Sequence, residues 1–272
     1  TVGTGKLEDV ENIVEQALSL LKTGDGRQET GDKRQEPEDI SGSLAPVSSL
    51  LSHVSDLAGE NFLITVGGTR EAIDPVRFIS NHSSGKMGFA VAQAAAARGA
   101  TVTVVAGVTT VPPPDGVHLI HAVSADEMHA VVINELKAAT VFVGAAAVAD
   151  YAPANPADSK IKKDGRDLMT LELRKTLDIL NDVSLHRHEG LLVVGFAAET
   201  NDVVGYARSK MEKKGLDLVV ANDITKAGAG FNTDTNIATI LTRSGDEIEL
   251  PLMSKREMAD RILDEVLRLR QS

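Results

Sequence analysis

Apolar residues along most of this chain alternate between short dense runs and longer periodic stretches. The first run, Phe62 to Val66, is almost entirely apolar and typical of a strand buried on both faces. An alanine-rich helical stretch from Met87 to Arg98 follows, and Gly99 ends it. Strands that alternate with helices predict an α/β protein with a Rossmann-like, doubly wound and mainly parallel sheet. The further strands are predicted at 101–105, 117–120, 141–144, 191–194 and 216–220, and the further helices from 124 to about 137, near 178–187 and at 203–214.

The two ends of the chain depart from this alternation. Near the C-terminal end, runs at 237–242 and 247–250 flank a Ser-Gly-Asp turn and predict a β-hairpin, and Ser254 begins a terminal helix. At the other end, residues 1–22 have helical apolar spacing, whereas residues 23–60 are largely polar and typical of a flexible linker. We interpret 1–22 as the terminal helix of an upstream domain and 61–272 as the functional domain.

Composition narrows the function classes. The chain has no Cys, which excludes disulfides and a thiolate nucleophile and fits a reducing compartment. It has no apolar run long enough to span a membrane, so we expect a cytoplasmic protein without a membrane partner. A formal net charge of −11 and an aromatic content of 3% disfavour nucleic-acid binding.

The segment between the first strand and the first long helix concentrates cations and small polar groups. Arg77 offers a planar fork for phosphate or carboxylate, and Asn81 offers an amide to an oxygen that gains charge. Because the segment leads into a helix N-terminus, it is suited to an anionic ligand. A polar loop that only caps the helix is the alternative interpretation, and no P-loop or G-x-G-x-x-G pattern is present. Its other polar members are Thr69, Arg70, Ser80, His82, Ser83, Ser84 and Lys86.

Three further places carry candidate chemistry. Small residues from Gly144 onward leave room at the end of a strand, where Asp150 could hold a divalent cation or cap a turn. A basic run begins at Lys160, and Lys210 and Lys214 share one helix face. Each of these two groups of lysines either neutralises the phosphates of a ligand or lies on a solvated surface. The seven His residues lack metal-ligand spacing, so we expect no His metal site.

Five motifs occur in order along residues 61–268 and resemble those of the bacterial phosphopantothenoylcysteine synthetase (phosphopantothenate–cysteine ligase) family. In many bacteria this enzyme is the C-terminal half of a bifunctional coenzyme A protein, behind a flavin-dependent decarboxylase. The resemblance implies that residues 1–22 are the last helix of that decarboxylase half and that no flavin binds here. The motifs are Gly68 to Gly88, Ala146 to Tyr151, Lys160 to Lys163, Gly195 to Thr200 and Ala221 to Asp223.

The resemblance also implies a reaction. The carboxylate of 4′-phosphopantothenate attacks the α-phosphate of CTP and releases pyrophosphate. The resulting acyl-cytidylate reacts with the amine of cysteine to give 4′-phosphopantothenoylcysteine and CMP, so a C–N bond forms between an acid and an amino acid. Mg²⁺ or Mn²⁺ accompanies the nucleotide. Family members are homodimers with the Ala-Val-Ala-Asp region near the interface, so the resemblance implies a dimer.

The family's site residues carry over by motif. Asn81, Lys160 and Arg77 match catalytic positions, and Asp150 matches a contact to nucleotide and cation. Two departures occur, since Ala152 stands where the family commonly has Arg, and Leu177 stands where it has Pro. The implied nucleotide site comprises Ser83, Gly144, Ala145, Ala146, Asp150, Lys160, Leu177, Asp178, Ile179, Leu180, Phe196, Lys210 and Lys214.

Two other classes compete with a ligase. An NAD(P)-dependent oxidoreductase requires a glycine fingerprint and an acidic residue after the second strand, where Ala106 and Gly107 stand instead. A noncatalytic nucleotide-binding module would have lost its polar loop residues, yet Asn81 and Lys160 are present. We therefore favour the CTP-dependent ligase and keep the binding module as the alternative.

Overall fold

The computed structural model describes residues 55–271, except 164–166, 200, 224, 227 and 231. The helix predicted within 1–22 and most of the linker predicted at 23–60 lie outside the described residues. These domain assignments therefore stay predictions.

Twelve strands and five α-helices make up the described part of the chain. The strands are β1 (Asn61–Val66), β2 (Arg70–Ala72), β3 (Phe78–Ser80), β4 (Thr101–Ala106), β5 (His118–His121), β6 (Val141–Gly144), β7 (Tyr151–Pro153), β8 (Leu173–Lys175), β9 (Leu192–Glu199), β10 (Leu218–Asp223), β11 (Thr235–Thr242) and β12 (Glu247–Ser254). The helices are α1 (Lys86–Ala97), α2 (Ala125–Glu135), α3 (Ile179–Leu185), α4 (Val203–Lys214) and α5 (Lys255–Gln271).

Eight of these strands form one sheet in the order β12-β11-β10-β9-β6-β1-β4-β5. Six neighbouring strands of this sheet, β10, β9, β6, β1, β4 and β5, are parallel. Strands β11 and β12 form an antiparallel hairpin at the edge next to β10. Numbered along the chain, the parallel strands follow the order 3-2-1-4-5-6, which is that of dinucleotide-binding α/β folds. The prediction of a doubly wound sheet with a C-terminal hairpin and helix is confirmed. The strand order reverses between β1 and β6, and ligands bind at such a switch point.

Apolar side chains are buried on both faces of this sheet. On one face, Phe89 of α1 and Ile262 of α5 belong to a cluster that also contains Ile64 of β1. On the other face, Met128 of α2 and Met211 of α4 pack in a second cluster, which also holds Val183 of α3 and Leu63 of β1. Adjacent residues of β1 therefore point into different cores, which explains why the strand is apolar at almost every position.

Capping boxes begin α2 and α5, at the two serines from which these helices were predicted to start. The Ser124 hydroxyl accepts from the Glu127 amide at the start of α2, and Ser254 makes the same contact with Glu257 at α5. The two small sheets β2–β3 and β7–β8, whose strands have three residues each, were not predicted from the sequence. Such strands are too short to show a period of two. No helix in the described ranges is long and apolar enough to cross a membrane.

Candidate functional site

The loops that follow β1 and β6 meet at the switch point and are hydrogen-bonded to each other. The Ala147 amide donates to the Gly67 carbonyl at 2.8 Å, and the Ala149 amide donates to the buried Thr69 hydroxyl at 2.9 Å. Gly67 has φ +84°, and a Cβ there would lie 2.6 Å from the Val108 carbonyl oxygen, so a larger residue does not fit. These contacts fix the two loops around a crevice at the carboxyl ends of the strands.

One side of this crevice is a cavity of about 450 Å³, called the first cavity below. It lies between the loop after β6, the start of α3 and the inner face of α4. Ten of the predicted nucleotide residues line it, although they come from four separate segments of the chain. They are Gly144, Ala146, Asp150, Leu177, Asp178, Ile179, Leu180, Phe196, Lys210 and Lys214.

Two lysines of α4 supply positive charge to the first cavity. Lys210 Nζ donates to the Phe196 carbonyl at 2.7 Å, and burial lowers the pKa of Lys210. Lys214 pairs with Asp178, whose carboxylate also accepts the Asn181 amide at 3.0 Å and caps α3. Burial raises the pKa of Asp178, but Lys214 and the Asn181 amide outweigh this effect and hold it below its usual value. One lysine is thus held by a carbonyl, and the other by a carboxylate.

The other side of the crevice is a second cavity of about 500 Å³. Asn81, Ser83 and the first residues of α1 line one wall, so the predicted Ser83 and Ala145 belong here rather than to the first cavity. Gly85 begins α1 with φ +81° and has no side chain to cap the helix, and the Ser84 hydroxyl accepts the Lys86 amide at 3.4 Å. The first turn of α1 has no acidic residue either, so its amide groups favour an anion.

The two cavities share part of their lining. Asp150, Phe196 and Lys210 line both, together with Ala146 and Val148. A ligand in one cavity therefore lies next to a ligand in the other, with one carboxylate and one ammonium group between them. This arrangement suits a reaction between two bound molecules.

Asn81 lies on the second cavity and is held in place by the loop after β6. Its side-chain amide donates to the Val148 carbonyl at 3.0 Å. This bond joins the loop before α1 to the loop that contains Asp150. It also orients the Asn81 amide, which reduces the reorganisation needed when a ligand binds.

Two predicted catalytic residues do not line either cavity. Lys160 is exposed at the start of its basic run. Arg77 directs its guanidinium to Asp74, at 2.9 Å from Nε and 2.5 Å from Nη2, and its Nη2 also lies 3.0 Å from the Ile161 carbonyl. Arg77 thus contacts the residue that follows Lys160, and the described structure brings Asn81 alone of the three to a cavity wall.

Several residues of the second cavity, above all Lys255, were not predicted from the sequence. This lysine is 6% exposed, and its ammonium donates to the carbonyls of Gly230 and Thr233. Burial, and next the neighbouring charge of Lys86, lower its pKa to about 8, against the attraction of Asp234. A signal was present, because Lys255 begins α5, where the helix dipole disfavours a cation. Breaking a local preference in this way often marks a functional position. The other missed lining residues include Thr65, Lys175 and Thr176 in the first cavity and Glu199, Asn222 and Asn236 in the second.

The side chains around the two cavities include few ligands for a divalent cation. Within the described ranges, no group of three or more His, Asp or Glu side chains is placed to hold a metal ion. Asp150 is nevertheless exposed on both cavities. Mg²⁺ is commonly held by one or two carboxylates together with substrate phosphates, so a cation that enters with a nucleotide fits this donor set.

These features define a class of protein, namely a doubly wound α/β protein with a divided ligand cleft at its topological switch point. Residues 57–269 match the family described as the DNA/pantothenate metabolism flavoprotein (DFP) C-terminal domain. The chain belongs to this family.

Curated relatives share close to half of their aligned residues with this chain. The coenzyme A biosynthesis bifunctional protein CoaBC of Vibrio cholerae is 48% identical over 208 residues, which cover 76% of this chain and 52% of that protein. CoaBC of Escherichia coli K12 is 46% identical over 218 residues, covering 79% and 53%, respectively. CoaBC of Bacillus subtilis is 47% identical over 215 residues, covering 78% and 52%. The chain thus spans about half the length of these relatives.

Solved structures agree with the fold. The crystal structure of the C-terminal domain of CoaBC superposes with a TM-score of 0.68 at 38% identity, covering 80% of this chain and 98% of that one. The Cab2 H337A mutant, solved in complex with phosphopantothenate-cysteine, gives a TM-score of 0.61 at 18% identity, with coverages of 83% and 89%. At this identity the second match shows the fold alone.

Proposed function

We propose that this chain is a phosphopantothenate–cysteine ligase of coenzyme A biosynthesis. It joins cysteine to 4′-phosphopantothenate at the expense of CTP and passes through an acyl-cytidylate. The observation that carries this proposal is the pair of cavities with Asp150, Phe196 and Lys210 in common, in a chain that belongs to the DFP family. The names of the CoaBC relatives support the pathway.

In this proposal CTP occupies the first cavity. Its volume of about 450 Å³ lies within the range of small-molecule sites. Lys210 and Lys214 supply the positive charge that a triphosphate requires, and small residues such as Gly144 and Ala146 leave room beside the strand end. Asp150 would hold a Mg²⁺ ion that enters with the nucleotide, and such a cation would neutralise negative charge on the phosphates.

4′-Phosphopantothenate occupies the second cavity. It carries an anionic group at each end, a phosphate and a carboxylate. The uncapped start of α1, together with Lys86 and Lys255, supports binding of the phosphate. The carboxylate then extends to the shared wall, where Asn81 and Lys210 are close to the nucleotide site.

The chemistry follows from this arrangement. A carboxylate oxygen forms a bond to the α-phosphorus, and the bond between that phosphorus and the pyrophosphate oxygen breaks. Both reactants are anions, so cations and fixed donors lower the barrier more than a general base would. In this mechanism the side-chain amide of Asn81 donates a hydrogen bond to the acyl-cytidylate. Lys160 lines neither cavity, so it neutralises the phosphates by reaching over them from its exposed segment.

The second step consumes the mixed anhydride. The amine of cysteine attacks the acyl carbon, CMP leaves with the electron pair of the broken C–O bond, and the amine loses a proton to solvent. Asp150 lines both cavities and is exposed to solvent, so we propose that cysteine enters beside it.

We further propose that the chain forms a homodimer. Large apolar side chains are exposed on the two small sheets, where Phe78, Tyr151 and Leu173 are 44–47% accessible. Tyr151 directly follows the Ala-Val-Ala-Asp segment for which the resemblance implies an interface. Light scattering of the Tyr151→Asp variant tests this, because a charge at an apolar interface favours the monomer.

The test of the ligase is pyrophosphate release from the purified chain with CTP, Mg²⁺ and 4′-phosphopantothenate, with and without cysteine. We expect release to require 4′-phosphopantothenate, and CMP and the cysteine adduct to appear once cysteine is added. Parallel reactions with ATP and GTP measure the preference for CTP. A folded chain that binds CTP but releases no pyrophosphate with any nucleotide would contradict catalysis and favour a binding module.

A further inference from the structure

The carboxylate of Asp74, in the turn between β2 and β3, is buried and accepts an unusual number of hydrogen bonds. One oxygen accepts the backbone amides of Val76 and Arg77, both at 2.9 Å. The other accepts the Arg77 guanidinium and the Ile161 amide, the latter at 3.1 Å. The residue is 3% exposed, and the Arg77 bond holds the pKa of its carboxyl well below the usual range. Asp74 is therefore a charged carboxylate at neutral pH.

These contacts join the turn to a segment that is distant in sequence. Arg77 Nη2 donates to the Ile161 carbonyl at 3.0 Å while Asp74 accepts the Ile161 amide, so both polar groups of one backbone residue are held. A third bond runs from the Ala157 amide to the Ile73 carbonyl at 2.9 Å. The turn thus holds the backbone on both sides of Lys160.

The Arg77 side chain is already engaged by this arrangement. Its guanidinium spans Asp74 and Ile161, and Arg77 lines neither of the two cavities. A planar fork that meets two acceptors at once is a geometry that a lysine does not reproduce. Arg77 is therefore placed to act on the lysine segment rather than on a bound ligand.

We propose that Asp74 and Arg77 form a clamp that positions the backbone of Lys160 for the reaction. The buried Asp74 carboxylate anchors the clamp, and Arg77 connects Asp74 to Ile161. The catalytic part of this inference rests on the proposed function, since Lys160 matters for turnover only if the chain is a ligase. The positioning part stands on the contacts alone.

The sharpest variant is Asp74→Asn, which keeps the shape of the side chain. The amide oxygen can still accept the Val76 and Arg77 amides, but the amide nitrogen then faces two other donors, Arg77 and Ile161. Asp158→Asn is the matched control, because it removes one negative charge from an exposed site in the same segment. Arg77→Lys keeps the positive charge and loses the planar fork.

Limited trypsin digestion measures the positioning without any substrate. The bond cleaved after Lys160 is the peptide bond whose nitrogen is the Ile161 amide held by Asp74. We expect cleavage after Lys160 to become about tenfold faster in Asp74→Asn and Arg77→Lys, as expected for loss of a charged hydrogen bond. Cleavage after Lys213 on α4 serves as the internal reference and should not change. An unchanged rate after Lys160 in a folded Asp74→Asn protein would overturn the proposal.

Hydrogen exchange of the wild-type protein gives a second measurement that does not depend on a variant folding. The clamp predicts that the Ile161 amide exchanges at least about tenfold more slowly than the Lys162 amide next to it, because a bonded amide must open before it exchanges. Equal exchange rates at the two amides would also overturn the clamp.

Kinetics then separate the clamp from a substrate contact by Arg77. If the clamp acts through Lys160, Asp74→Asn and Arg77→Lys should each lower kcat about tenfold or more, and the double variant should be no worse than either alone. If Arg77 instead binds substrate as a cation, Arg77→Lys should retain most activity, and the losses should multiply; that result would overturn the positioning role. An inactive wild-type chain with the expected trypsin pattern would contradict the proposed function and leave the clamp supported.

Discussion

Lys210 offers the most direct test of the shared wall, since it lines both cavities. Its ammonium donates to the Phe196 carbonyl at 2.7 Å, and burial lowers its pKa. Lys210→Met keeps a side chain of similar length and removes the charge. If the ammonium stabilises phosphate charge in the transition state, its loss should cost about 3–4 kcal/mol, or about 10²–10³ in kcat.

The effect of this variant on stability should be much smaller. Removal of Lys210 loses one charged hydrogen bond, worth about 1.5–3 kcal/mol, but it also removes the cost of burying a charge. We therefore expect the free energy of unfolding to change by less than about 2 kcal/mol. Lys213→Met is the matched control, because Lys213 lies on the same helix, is exposed and lines neither cavity.

The assay is CTP-dependent pyrophosphate release at saturating substrates, with urea unfolding of all three proteins in parallel. Lys213→Met should retain wild-type turnover, and Lys210→Met should lose it while staying folded. A folded Lys210→Met enzyme with kcat close to wild type would refute the role of the shared wall. A similar loss in both variants would instead indicate that the general charge of α4 matters and not the position of Lys210.

Three further predictions address other parts of the molecule. Asn81→Asp should lower turnover by about 10²-fold, because the hydrogen-bond donor to the acyl-cytidylate is lost. It should still bind CTP, because the first cavity is unchanged. A variant with wild-type kcat and an unchanged Kd for CTP by calorimetry would contradict this role of Asn81. Gly88→Ala should lower the free energy of unfolding by about 1–2 kcal/mol in urea titrations. The new Cβ would lie 2.7 Å from Val66 Cγ2, and the cost of this overpacking should exceed the gain in helix propensity. A more stable variant would argue against close packing of α1 on β1. The pKa of Lys255 is about 8 in the folded protein and 10.5 in the unfolded chain, so the folded protein loses the ammonium proton at a lower pH. The cost of burying the charged ammonium is therefore relieved as pH rises from about 8 to 10.5. Wild-type stability should therefore rise over this range relative to Lys255→Met, and parallel pH profiles in urea unfolding would contradict it.

The main sheet and its helices could be predicted from the amino-acid sequence alone. Runs such as Phe62–Val66 are apolar because both faces of β1 are covered, and α2 begins at Ser124 because the capping box is encoded within four residues. These patterns involve residues that are close in sequence, so the strand and the helix can be predicted without knowledge of the tertiary structure. The prediction that small residues after β6 border a ligand crevice also followed from strand order, since parallel strands end at one edge.

Which polar residues share a site depends on the packing of the whole chain. Lys255 reaches the second cavity from the last helix, and Lys175 reaches the first from a strand of three residues. Arg77 was predicted to be a catalytic residue, but its guanidinium is hydrogen-bonded to the buried Asp74 carboxylate and to the Ile161 carbonyl. Contacts between residues so far apart in sequence depend on how the whole chain packs, and no local period or motif spacing records them.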